Sequence, residues 1–254
     1  LLLLLLSCSQ PEQIPKKEHS TLAILYVQQS AEYRALTYQA YNLAHMRLER
    51  ELLKRDAIKK AIVLDIDETI LDNSDFNASL AISDEEYSSA KWAEWAAKSI
   101  ADTVPGAFSF LQFADQNGFA IFYVSNRKVS EKAGTIRNLE YFHFPQVSDD
   151  HVLLRDQTSS KTPRREKISE TYKIVLLIGD NLNDFSDVFE EKTNKDRRME
   201  ADHFKAEYGN RFIILPNPFY GEWESALYDY DYKKSPEEKR AIRLSTLKSH
   251  TEKK

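Results

Sequence analysis

From residue 21 to 56 the chain has neither glycine nor proline, and Tyr33, Leu36, Ala40 and Leu43 fall at i, i+3, i+7 and i+10. That stripe matches a 3.6-residue period and predicts one long helix. Beyond it the pattern changes. Short apolar runs stand at Ala61–Leu64, Phe119–Val124, Val152–Leu154, Ile174–Ile178 and Phe212–Leu215. Each is of strand length and most are rich in Ile, Val, Phe or Tyr, which suits strands buried on both faces. Helical stretches lie between them, at about Pro105–Gln116, Ser130–Tyr141, Pro163–Glu170 and Asp184–Glu191. Strands alternating with helices predict βαβ units, hence an α/β domain with a parallel sheet.

Two kinds of segment break the alternation. Residues 73–104, with Trp92 and Trp95, are too long for a plain crossover, and residues 192–210 and 217–254 are mostly polar with scattered aromatics. The expectation is a single unit over 21–254, with its α/β core at about 57–72 and 105–216. A smaller helical or mixed cap is then drawn from about 21–56, 73–104 and 217–254. A length of 254 residues suits one to two domains. The balance of 35 Lys+Arg against 40 Asp+Glu gives a net charge of −5, which argues against a broad nucleic-acid footprint. The one cysteine excludes a disulfide framework or a Cys-rich zinc site, and the six histidines show no metal-ligand spacing. No apolar run approaches the roughly 18 residues of a membrane span.

The informative residues follow the predicted strands. The first strand runs into Asp65-Ile66-Asp67-Glu68-Thr69, the second into Ser125-Asn126-Arg127, and the fourth into Gly179-Asp180-Asn181-Leu182-Asn183-Asp184. Lys161 comes after the third, with Thr162 placed to cap the next helix and Pro163 beside it. Ligands of open parallel sheets bind outside the carboxyl ends of the strands, so four stretches deliver polar groups to one edge. Asp65, Asp67, Asp180 and Asp184 there would repel one another by roughly 4 kcal/mol per pair at 4 Å and an effective dielectric of 20. A hard divalent cation such as Mg²⁺ removes that penalty and lets a phosphate monoester approach. Where the strand opens into a loop, Asp67 can turn away from Asp65. One carboxylate is then free to attack phosphorus while the other protonates the leaving alkoxide. Ser125 and Lys161 would donate to the equatorial oxygens.

These stretches resemble the four motifs of the haloacid dehalogenase superfamily. More narrowly, Ile62-Val-Leu-Asp-Ile-Asp-Glu-Thr-Ile-Leu-Asp-Asn-Ser74 and Val175-Leu-Leu-Ile-Gly-Asp-Asn-Leu-Asn-Asp-Phe185 resemble both signatures of the bacterial class C acid phosphatases. The likeness extends to Ser125-Asn-Arg127, Ser159-Ser-Lys161, Asp196-Arg-Arg198 and Leu215-Pro-Asn217 through Trp223. It implies a Rossmann-like haloacid dehalogenase core and Mg²⁺-dependent hydrolysis of phosphate monoesters, with nucleoside 5′-monophosphates among the substrates. By resemblance, Asp65 is the nucleophile and Asp67 the general acid/base. Asp65, the backbone carbonyl of Asp67 and Asp180 hold the metal, while Asp184 holds a metal-bound water or a basic partner. Ser125 and Lys161 bind the phosphoryl group, and Asn126, Trp92, Trp95 and Tyr220 lie around the substrate. The residues themselves leave Arg127 open between an ion pair and substrate contact, and the aromatics open between packing and stacking.

At the other end, Leu1–Leu6 followed by Ser7-Cys8 resembles a bacterial lipobox, which implies lipidation at Cys8 and residues 9–20 as a tether. The chain would then sit in the bacterial cell envelope, touching the membrane through its lipid alone; a homodimer is implied by the family. Two other functions compete. A dehalogenase would need no metal and have no use for Asp67. The other is a surface ligand-binding or uptake lipoprotein with vestigial or secondary catalysis; the intact aspartates count against loss of catalysis.

Overall fold

The computed structural model describes Pro15, residues 17–54 and residues 57–250; Cys8 lies outside them. Two helices open the chain, α1 (Glu18–Gln29) and α2 (Ala31–Leu52), where the periodicity predicted one. The break is Ser30. Its backbone is extended, and its side chain accepts a hydrogen bond from the Tyr33 N–H while donating to the Tyr26 carbonyl at 2.6 Å. A serine that caps both ends of a junction interrupts a helix without glycine or proline.

The core strands and helices then follow in order. After β1 (Lys60–Leu64) come β2 (Leu71–Asp72), α3 (Ser74–Ile82), α4 (Ser89–Lys98), β3 (Asp102–Thr103), α5 (Ala107–Gln116) and β4 (Ala120–Lys128). They are followed by α6 (Lys132–Tyr141), β5 (Val152–Arg155), α7 (Thr162–Ser169), β6 (Lys173–Gly179), α8 (Asn194–His203), β7 (Phe212–Ile214), α9 (Glu222–Ser225) and α10 (Pro236–Thr246). Five strands form one sheet in the order β5-β4-β1-β6-β7, every pairing parallel. The predicted α/β parallel-sheet core is therefore observed.

Side-chain alternation builds two cores on this sheet. Ile62 and Leu64 of β1, Ile121 and Tyr123 of β4, and Leu176 and Ile178 of β6 face one layer with Tyr41, Ala44 and Leu48 of α2 and Phe110 and Leu111 of α5. Ala61 and Val63, Phe122 and Val124, and Leu177 face the other, with Ile168 of α7 and Phe185. Each large buried side chain contributes about 1.5–3 kcal/mol, which keeps the middle stretches of β1, β4 and β6 apolar. The helix α2, expected among the cap elements, packs on α5 and on β6 and β7.

Inserted between β2 and β3, which pair antiparallel, α3 and α4 stand above the carboxyl edge of the sheet; α1 packs on α3 and α4 on α6. Two local expectations fail. The stretch Asp184–Glu191 forms 3-10 turns at Leu182–Asp184 and Asp187–Phe189 rather than an α-helix, since the Asn181 and Ser186 side chains each accept from the turn that follows them. Thr162 lies inside α7 instead of capping it; Lys161 occupies the cap position, and the Thr162 hydroxyl accepts from Arg165. No described helix is long and apolar enough to cross a membrane.

Candidate active site

Because β1 is central and the chain leaves it toward β4 and β5 before returning through β6 and β7, the strand order reverses beside it, and a crevice opens at its carboxyl end. Three aspartates meet there. Asp65, Asp180 and Asp184 each present a carboxylate oxygen, all within 4.8 Å of one another. The position of Asp65 is fixed by its N–H, which continues the sheet by donating to the Ile178 carbonyl at 2.9 Å. Asp184 folds back beneath Gly179, and its Oδ2 accepts from the Asn181 N–H at 3.0 Å. A Cβ at Gly179 would stand 2.2 Å from that oxygen, so only glycine lets Asp184 in.

Lys161, at the start of α7, inserts its ammonium between two of these acids, 2.5 Å from Asp65 and 2.6 Å from Asp184. Burial pulls its pKa down, but Asp184 and Asp65 more than offset this and hold the lysine above its ordinary value. One cation does not balance three acids. Burial, with Asp184 and Asp67 adding to it and Lys161 opposing, pushes Asp65 up to about 7. Burial and the charges of Asp184 and Asp65 carry Asp180 well above the carboxylate range, although Asn217 donates to it at 2.8 Å. Three hard-oxygen donors, buried or half-buried and short of positive charge, fit a divalent cation.

Two residues on, Asp67 has different company. Its carboxylate takes the Arg127 guanidinium, Nη2 at 2.7 Å from Oδ1 and Nε at 3.0 and 3.2 Å from its two oxygens. Asn73 Nδ2 donates to Oδ1 at 2.9 Å and the Ser125 hydroxyl to Oδ2 at 3.3 Å. The Asp67 carboxylate is thus outside the three-acid cluster, and only its backbone carbonyl is left as a route to a metal. Glu68 is buried with a positive φ of 54°. It accepts from the Asn73 N–H at 3.0 Å and from the Tyr220 hydroxyl. Burial, then Asp67, raises it to about 8, against the pull of the Tyr220 hydrogen bond.

A cavity of about 670 Å³ stands over these groups, with Asp65, Asp67, Ser125, Lys161, Asp180 and Asp184 at its floor. Trp92, Tyr220 and Asn126 line it too. The Arg127 guanidinium lies 5.3 Å from the centre of the Trp92 ring, and Arg164 holds the Asn126 side chain at 2.8 Å. Trp95 is elsewhere. It is buried in the core against Phe76, and its indole donates to Asn73 Oδ1 at 2.8 Å. The expectation that Trp95 touches substrate is corrected: three residues along α4 from Trp92, it turns inward to Asn73.

The family model for HAD superfamily, subfamily IIIB (acid phosphatase) matches residues 8–223. The chain belongs to that family. It is also similar to the class C acid phosphatase from Bacillus anthracis, at 43% identity and a TM-score of 0.90 over 94% of this chain and 100% of that one. The tungstate-bound crystal structure of that Bacillus protein matches at 42% identity and a TM-score of 0.89, with the same coverage. The protein is an acid phosphatase, a phosphomonoesterase acting on a small phosphate ester, and the reading as a non-catalytic binding protein is not favoured.

Within this acid phosphatase, sequence reasoning assigned no role to Asn73, Glu68, Arg164 or Asn217 and left Arg127 open. Arg127 makes the ion pair with Asp67. The available signal was weak but present: Glu68 and Asn73 both stand inside the first quoted signature, and Asn217 inside the Leu215-Pro-Asn217 stretch.

Proposed function

We propose that this acid phosphatase hydrolyses nucleoside 5′-monophosphates and similar monoesters through an aspartyl-phosphate on Asp65, with Mg²⁺ as its cation. The observation that carries the reading is the junction of Asp65, Asp180, Asp184 and Lys161 beneath a cavity that Trp92 and Tyr220 line. Asp65, Asp180 and the Asp67 carbonyl would hold the ion, with Asp184 supporting it. When bound, Mg²⁺ supplies positive charge that keeps the three acids ionised and draws charge from the phosphoryl oxygens.

The ester meets Asp67 in its protonated form: an Asp65 oxygen attacks phosphorus, the P–O bond to the leaving group breaks, and Asp67 gives its proton to the departing alkoxide. Water then attacks the phosphoryl-enzyme, Asp67 takes a water proton, and phosphate leaves with Asp65 restored. Lys161 has three N–H donors and spends two on Asp65 and Asp184, which leaves one for a phosphoryl oxygen. That the Bacillus relative has been crystallised with tungstate bound, an oxyanion as phosphate is, supports the reading.

The test is phosphate release from a panel of nucleoside 5′-monophosphates, nicotinamide mononucleotide, phosphotyrosine and sugar phosphates, each with Mg²⁺ and with EDTA. Mg²⁺-dependent release that favours the nucleotides is expected. Equal release from every substrate would retain the phosphatase and overturn the nucleotide preference, and full activity in EDTA would overturn the metal. The lipid anchor at Cys8, with its placement in the cell envelope, and a homodimer belong to the same proposal. Mass spectrometry of the N-terminal peptide and light scattering test them.

A further inference from the structure

Asn73 is fully buried and stands at the N-cap of α3, yet its side chain makes no capping bond. Asparagine is among the favoured residues at that position because its side chain can satisfy a free helix N–H. Here Asp72 takes over, accepting from the Ser74 N–H at 2.7 Å, and the Asn73 amide is spent elsewhere. Its orientation is fixed by chemistry. The Trp95 indole N–H can only donate, and it points at Oδ1 from 2.8 Å, with Arg127 Nη2 on the same oxygen at 3.5 Å. The Nδ2 group must then face Asp67, and it donates to Oδ1 at 2.9 Å. The Asn73 N–H meanwhile ties the main chain to Glu68, the neighbour of Asp67.

Asp67 therefore holds its two oxygens unequally. Oδ1 takes the short bonds from Arg127 and Asn73, whereas Oδ2 has only the longer contacts to Ser125 and to Arg127 Nε, at 3.3 and 3.2 Å. The loosely held oxygen is the one free to carry a proton to a leaving group. Trp95 and Asn73 lie outside the cavity lining, so what they do for the reaction passes through Asp67. We propose that Asn73, oriented by the Trp95 indole, is a positioning residue that aims Oδ2 of Asp67 at the leaving-group oxygen. Helix α4 of the cap thereby sets the acid. This rests on Asp67 as the general acid.

The experiment compares two esters in Mg²⁺-containing buffer: p-nitrophenyl phosphate, whose phenolate departs without a proton, and glycerol 2-phosphate, whose alkoxide needs one. Trp95→Phe keeps an aromatic ring in the core and removes the indole N–H. It is expected to lower kcat/KM, which reports formation of the aspartyl-phosphate and not its shared hydrolysis, about tenfold on the alkyl ester and less than about threefold on the aryl ester, part of the roughly 10²–10⁴-fold that a general acid supplies. Asn73→Ala should show the same bias more strongly, and where it fails to fold, Trp95→Phe carries the test alone. In an Asp67→Asn background, Trp95→Phe should add nothing, since both changes act through one group.

An equal loss of kcat/KM on both esters for Trp95→Phe, or a further loss in the double variant, overturns the positioning role. The Asp67→Asn single variant separates the two claims. If it hits the alkyl ester harder while Trp95→Phe does not, the acid stands and the positioning role falls. If it lowers kcat/KM on both esters alike, the acid assignment falls and the positioning role with it.

Discussion

Asp65 and Asp67 are the same residue type two positions apart at one strand end, and their surroundings give them different chemistry. Asp65 sits among acids, shares a single lysine with Asp184, and is pushed up to about 7 chiefly by burial. Asp67 has a buried arginine to itself, with Asn73 and Ser125 completing its shell. One position lacks positive charge and so can take a cation and an electrophilic phosphorus. The other is held in place by hydrogen-bond donors from β4 and from the start of α3. The lesson is that a two-residue motif divides labour through its neighbours, which come from β4, α3, α7 and β6.

The strongest way to break this contrast is Asp65→Asn, which removes the attacking oxygen. Phosphate release is expected to fall by roughly a thousandfold or more on every ester, and near-wild-type turnover on any of them would refute the assignment. Asp67→Asn comes next, with a loss on the order of 10²–10⁴-fold on alkyl esters and a smaller one on aryl esters, read from kcat/KM for each. Asp180→Asn should act on the cation instead, raising the Mg²⁺ concentration for half-maximal activity by about tenfold or more. A metal titration that does not move would remove Asp180 from the ligand set.

The smallest effect is on stability. Asp65 is raised from 3.8 to about 7 and Glu68 from 4.5 to about 8, so between those limits the folded protein binds more protons than the unfolded chain. Stability of the chelated protein must then fall as pH rises from about 4 to about 8. Melting curves in EDTA should drop across that window, whereas curves with Mg²⁺ should drop less, because the cation compensates the newly ionised acids. Parallel curves would show that the cluster does not bind it.

The central strands were legible because both faces of β1, β4 and β6 are buried, which leaves unbroken apolar runs. The four aspartates were legible because each stands at a strand exit. Local pattern misled where distant partners decide. Trp92 and Trp95 are alike in sequence, and what separates them is Asn73, more than fifteen residues away on another element. Ser30 reads as a helix residue until its hydroxyl is seen bonding both ways. Arg127 could be settled only by Asp67, 60 residues back in the chain.

That serine has a mechanical consequence. α1 rests on the cap helix α3, whereas α2 is bolted to the sheet, and the two meet at a joint one residue long. Twelve residues at about 1.5 Å of rise make α1 a lever of about 18 Å. Its far end carries Lys17, His19 and Ser20 to the rim of the cavity. The mouth of the cavity is therefore built in part by a helix whose other end is fixed at Ser30, a helix length away from it.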